Sequence, residues 1–227
     1  MRLVIERAAE PLASQDVSSR LGAIVGRMTR PAPNAARRNA GSRSAILAAA
    51  LDLVAEVGYP KLTVEGIAAR AGVGKQTIYR WWPSKGAVLF DALLALGETP
   101  DGQPGSLPDT GDLAADLKVV LRATVEELND PRYDAPMRAL STEIMHDPEL
   151  ADLYARRLDG PLREIKRERL RSAQRAGELA ADLDLEVAVD LIWAPIAHRW
   201  SQRGPLTAGY ADAVVNTALA GLRGRRG

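Results

Sequence analysis

The chain has 227 residues, none of them cysteine, which excludes disulfides, thiolate catalysis and cysteine-ligated zinc and fits a reducing compartment. Its net charge of +1 hides an asymmetry: residues 37–90 carry eight Lys/Arg against three Asp/Glu, a net +5, whereas residues 91–227 carry 17 against 23, a net −6. A basic front and an acidic rear imply that the front meets a polyanion.

Residues 1–41 contain Pro11, Pro31 and Pro33 and a basic pair at Arg37 and Arg38, and are expected to be a largely disordered extension. Short apolar islands at Leu3 to Ile5 and Leu21 to Val25 allow a transient helix there. Translation from Met28 instead of Met1 would leave only a short basic arm before the first helix. The opening MRLVIERAAEP carries early acidic residues and no apolar signal core, so a cytoplasmic location is expected. No apolar run approaches the ~20 residues of a membrane span. From Ser42, Ile46, Leu47, Ala50, Leu51 and Val54 recur at helical spacing until Gly58 ends the run. Residues 62–96 read as three short helices with tight connections, giving a first domain over 42–97. A Pro/Gly/Asp-rich linker over 98–111 follows. Residues 112–227 read as helices throughout, with Pro161 expected to interrupt or kink a long one and Gly204-Pro205 separating a final pair. Abundant Ala, Leu and Arg, a single Phe and no alternating strand pattern make the fold class all-α.

The segment from Leu62 to Lys85, LTVEGIAARAGVGKQTIYRWWPSK, has the pattern of a helix-turn-helix. Thr63 precedes an apolar periodic run and can cap it. Val64, Ile67, Ala68 and Ala71 share one face, and Gly72 sits where the tight turn requires positive φ. Val73 and Ile78 return the chain to the core. Lys75, Gln76, Thr77 and Arg80 then fall on the opposite face with Tyr79 beside them. Gln76 can offer a bidentate amide to adenine, and Lys75 or Arg80 can address guanine. Thr77 and Tyr79 suit phosphate oxygens. Lys85, at the start of the next helix, is expected on a phosphate. Trp82 is expected in the core, and Arg43 near the DNA backbone.

Residues 44–96 resemble the signature of the TetR family, in which a Thr-capped helix, an Ala-Gly-Val turn and a Thr-aliphatic-Tyr recognition helix precede an aromatic and a Lys. Gly74 stands where the family has a Ser or Thr cap, and Trp81 where it often has a His that contacts phosphate. The resemblance implies a dimeric regulator with an N-terminal three-helix DNA-binding domain and a C-terminal helical domain for dimerisation and effector binding. Its expected partners are a near-palindromic double-stranded DNA operator, a second copy of the chain and a small apolar effector, with no membrane, metal or cofactor.

The rear half agrees with that expectation. Residues 185–200 are apolar on too many sides for a lone surface helix, and residues 208–223 supply a second apolar helix. The dimer interface is therefore expected at Val189, Ile192, Ile196, Val214, Val215, Ala218, Leu219 and Leu222. Met137, Ile144, Met145, Tyr154, Trp193 and His198 are candidates for lining an effector cavity, because Met and aromatic side chains adapt to irregular ligands. The run Arg163 to Arg175 reads as a solvated helix face. No Gly-rich phosphate loop, metal-ligand spacing or Ser/His/Asp grouping points to an enzyme. A constitutive regulator without an inducer is the alternative.

Overall fold

Helix α1 (Asn34–Val57) begins about three turns before Ile46, the first residue of the apolar repeat. The computed structural model describes residues 34–96 and 106–222, with side chains from residue 39. The disordered extension expected over 1–41 thus gives way to helix from Asn34, while its first 33 residues lie outside the described ones. Ala35, Ala36, Arg37, Arg38 and Ala40 are strong helix formers, and they carry the helix upstream with no apolar face to mark it. From there α1 buries Ile46, Leu47, Ala49, Ala50 and Val54.

A 3₁₀ turn (Tyr59–Lys61) leads into α2 (Val64–Ala71). Thr63 caps α2, its Oγ1 accepting from the Gly66 N–H at 3.0 Å. Gly72 closes it in the left-handed region at φ 66°, ψ 33°, which a side chain would strain. α3 (Lys75–Tyr79) follows directly. In α4 (Lys85–Leu96) every residue from Gly86 to Leu94 is buried, because the helix is covered by α1 on one side and by the rear half on the other. Gly86 permits that contact: a Cβ there would lie 2.9 Å from Leu150 Cδ2 and 3.3 Å from Tyr59 Oη.

The rear half comprises α5 (Leu113–Asn129), α6 (Pro131–Ile144), α7 (Pro148–Tyr154), α8 (Gly160–Arg175), α9 (Leu185–Ser201) and α10 (Ala208–Leu222). Asp112, Asp130, Asp147 and Asp184 each accept a backbone N–H at the start of their helix. Pro161 does not separate α7 from α8. The two run on through one wide π turn (Ala155–Asp159), in which the Gly160 N–H reaches back five residues to the Ala155 carbonyl. A proline cannot donate to the carbonyl four residues before it, and the wide turn accommodates that loss.

α10 packs on α5, where Arg122 donates to both Asp212 oxygens at 2.7 and 2.6 Å. The end of the expected linker is fixed rather than loose. Arg169, buried on α8, bonds Asp116 at 2.8 Å and the Pro108 carbonyl at 2.8 Å, and Thr110 donates to Asp116 through both its N–H and its hydroxyl. Residues 97–105, the remainder of that linker, lie outside the described residues. Among the described residues there is no strand, as the composition implied, and no helix is long and apolar enough to cross a membrane.

Candidate nucleic-acid interface and inner cavity

Three short helices hold the basic face. Ile78 of α3 is buried against Ile67 and Ala68 of α2, so α3 turns its other side outward. Lys75, Gln76, Tyr79 and Arg80 are exposed and Thr77 is half-buried, with exposed Thr63 at the head of α2. Gly74 gives α3 no side-chain cap, so its first N–H groups remain open to an anion. Lys75 meets Glu65 at 3.5 Å, an exposed pair too weak to hold the ammonium back from a phosphate or base. Arg80 lies 5.3 Å from the centre of the Trp81 ring, which stacks edge-on against Trp82 at 5.4 Å. The arrangement presents hydrogen-bonding and cationic groups on one convex edge, as major-groove reading requires.

Lys85 departs from its expected place. Its Nζ turns inward, donating to the carbonyls of Tyr59 and Leu62 at 3.2 and 3.1 Å, and rests 4.3 Å from the centre of the Tyr59 ring. The Tyr59 carbonyl already accepts from the Leu62 N–H, which closes the 3₁₀ turn, and the lysine adds a second donor to it and one to the Leu62 carbonyl just beyond. It ties α4 to the entry of α2 instead of standing free for a phosphate.

Arg43 is likewise engaged, with Nη2 on Asp91 at 3.0 Å. Asp91 is the hub of a joint between front and rear. It accepts from buried Trp82 Nε1 at 2.9 Å and from Arg157 Nη1 at 2.5 Å. Burial alone would raise the Asp91 pKa. The donors Trp82, Arg157 and Arg43 outweigh it and hold the carboxyl below its ordinary value. Sequence reasoning missed this joint, although a lone carboxylate within VLFDALL was a visible signal of a buried partner.

A partly open cavity of about 420 Å³, within the size range of small-molecule sites, lies between the end of α4 and the rear half. Its wall includes three of the six expected residues: Met137, Tyr154 and Trp193. Met145 is 80% exposed, because α6 ends at Ile144 and its cap points to solvent. Ile144 packs on the core away from the cavity, and His198 lies on the outer side of α9. The residues that sequence reasoning missed include Tyr133, Leu158, Asp159, Lys166 and Trp200.

The expected dimer residues are also relocated. Val189, Ile192, Ile196, Val214, Val215, Leu219 and Leu222 are buried within one chain, and Ala218 is half-buried. The outward stripe of α9 is Val187, Leu191, Ala194 and His198, with Val187 52% and Leu191 50% exposed. On α10 the outward stripe is Ala213, Thr217 and Ala220. Helical spacing locates the apolar pair of helices, and the side chains named on it, the half-buried Ala218 apart, pack in the core of their own chain.

Residues 46–92 match the family model of bacterial regulatory proteins of the tetR family, and residues 107–218 that of the tetracyclin repressor-like C-terminal domain. The chain is similar to YdeS of Bacillus subtilis strain 168, an uncharacterized HTH-type transcriptional regulator. The two are 36% identical over 187 residues, covering 82% of this chain and 92% of the relative. It is 30% identical over 179 residues to the DNA-binding transcriptional repressor TetR of Mycobacteroides abscessus, covering 78% of this chain and 90% of that protein. The crystal structure of the TetR family transcription regulator SCO0332 superposes with a TM-score of 0.61 at 32% identity, covering 80% of this chain and 98% of that one. The exposed helix-turn-helix edge, the helical rear half and these similarities together show that the chain belongs to the TetR family of DNA-binding transcriptional regulators.

Proposed function

We propose that the protein is a homodimeric repressor that binds a near-palindromic operator through α3 and leaves it when a small effector fills the cavity. The observation that carries the proposal is the π turn. Tyr154, Leu158 and Asp159 in and beside it line the cavity, while Arg157 of the same turn grips Asp91, the carboxylate that also holds Trp82 and Arg43 of the reading head. A ligand that shifts the turn therefore acts on the head through one ion pair. It releases DNA only by favouring a conformation in which two recognition helices no longer fit successive major grooves. Weakening operator binding about 100-fold requires a preference of about 2.7 kcal/mol, within the usual range of coupling energies. In the dimer, the outward stripes of α9 and α10 are the surfaces that meet.

The test starts with operator fragments selected from genomic DNA by the purified protein. A thermal-shift screen of small molecules then supplies hits, and each is added to a fluorescence-anisotropy titration of the operator. Hits that raise the melting temperature and weaken operator binding support the proposal. Hits that stabilise the protein while operator affinity stays constant would replace it with the constitutive reading.

A further inference from the structure

We propose that the cavity takes an amphipathic monoanion, an aliphatic or aromatic carboxylate whose head group rests on the ammonium of Lys166. This rests on the reading of the cavity as the effector site and names the ligand's chemistry.

The wall is mainly hydrocarbon, with Leu93, Leu94, Leu128, Met137, Leu162 and Ile196 among its residues. Lys166 enters it from α8. The other basic residues of that helix are all paired: Arg163 with Asp159, Glu186 and Asp190, Arg167 with Glu164 and Glu186, Arg169 with Asp116, and Arg171 and Arg175 with Glu168. Lys166 makes no ion pair within 4.0 Å among the described residues; its Nζ lies 4.9 Å from the centre of the Trp193 ring, and the charges of Asp159, Arg163 and Asp190 reach it only at longer range. A cation enclosed by hydrocarbon without a counter-charge is costly, and an arriving anion removes that cost.

Two further donors face the same space. Tyr133 and Tyr154 both line the cavity, and neither hydroxyl makes a hydrogen bond among the described residues. Burial raises both their pKa values, so both phenols stay protonated and able to donate. Burial also pushes Lys166 down to about 8, which leaves it mostly charged at neutral pH. The nearby acids Asp159 and Asp190 attract the ammonium from a distance but are both paired with Arg163, at 3.4 and 2.6 Å, and burial outweighs their pull. A cationic ligand would meet the unpaired ammonium. A neutral hydrocarbon would strip its remaining water and return nothing.

The experiment is isothermal titration of the full chain at pH 7 with two matched sets. One set is decanoate, decan-1-ol and decylamine; the other is naphthylacetate and naphthylethanol. At least one carboxylate should bind roughly tenfold or more tightly than its alcohol, the return of one charge-assisted hydrogen bond. Decylamine should bind most weakly of the first set. Lys166→Gln should abolish the preference, by weakening the carboxylate and not the alcohol, and Lys166→Arg should retain it. Thermal melts of both variants verify folding. Alcohols binding as tightly as carboxylates, a preference that survives Lys166→Gln, or no carboxylate binding at all would overturn the ligand class. A selective carboxylate that leaves operator affinity unchanged would uphold the ligand class and overturn the release mechanism instead.

Discussion

Arg157 and Asp91, 66 residues apart in the chain, meet at 2.5 Å and form the charged link between the wall of the cavity and the underside of the reading head. Arg157 also lies 5.7 Å from the centre of the Phe90 ring, which in turn packs 5.9 Å from Tyr154. Arg157→Gln should keep operator affinity within roughly threefold while reducing the response to an effector, because the head loses its charged grip on the turn. With the arginine partly exposed, the stability cost is about 1 kcal/mol or less, roughly 2–4 °C at most. Anisotropy titrations with and without effector measure this. A full response in the variant would remove Arg157 from the coupling route.

The same joint sets an acid limit. Asp91 is held below its ordinary carboxylate pKa, so its contribution is complete above the unfolded value near ~4 and is lost as pH falls through that value toward the lower folded one. Melting temperatures between pH 6 and pH 3 should fall more steeply for the wild type than for Asp91→Asn. The variant should begin lower at pH 6, because it gives Arg157 and Arg43 no charged acceptor. Parallel curves would show that other carboxylates govern the acid transition.

Base reading and head assembly separate at Gln76 and Lys85. Gln76→Ala should cost about 1–3 kcal/mol at one base pair of the operator and leave the melting temperature unchanged. Lys85→Ala removes the side-chain donor that joins α4 to the Tyr59 and Leu62 carbonyls, so it should lower the melting temperature first. Binding assays on operators with single base changes, beside thermal melts, distinguish the two. An unaltered melt for Lys85→Ala, with a salt slope reduced by roughly one, would restore the phosphate role.

Assembly should be sensitive to the outward stripe of α9. Leu191→Glu replaces a half-exposed apolar side chain, so the monomer fold should survive while the sedimentation coefficient falls to that of a single chain. Tight binding to a full palindrome should fall with it. A dimer that persists in Leu191→Glu would place the interface on another face.

The helix-turn-helix was legible because its determinants are local. Thr63 as cap, Gly72 in the left-handed turn and Ile78 as the inward residue each act within a few positions of their partners. The rear half was legible as helices but not as surfaces. α9 is apolar on two sides, and spacing alone cannot tell the side that meets α10 from the side left for a second chain. Lys166 stands within a run of arginines that reads as solvated, and only the fold shows that, among the described residues, it alone of that run makes no ion pair. Met145 and His198 failed as cavity residues for a simple reason. Residue type suggested them, but the end of α6 and the facing of α9 decided where they point.

Lys85, Thr63 and the buried Trp82 make the reading head a stiff unit, joined to the rear half at the Gly86–Leu150 contact and the Asp91 hub. A movement at that joint carries the whole head and leaves the order of Lys75, Gln76 and Thr77 along α3 untouched. In a two-chain assembly, regulation is then a matter of the distance between heads rather than of their alphabet. Operators that differ only in the number of base pairs between half-sites would be sorted by the joint, and operators that differ in half-site sequence by α3. On the proposed release mechanism, selection on a genome would adjust how strongly a site responds by adding or deleting spacer bases, with no change in the protein.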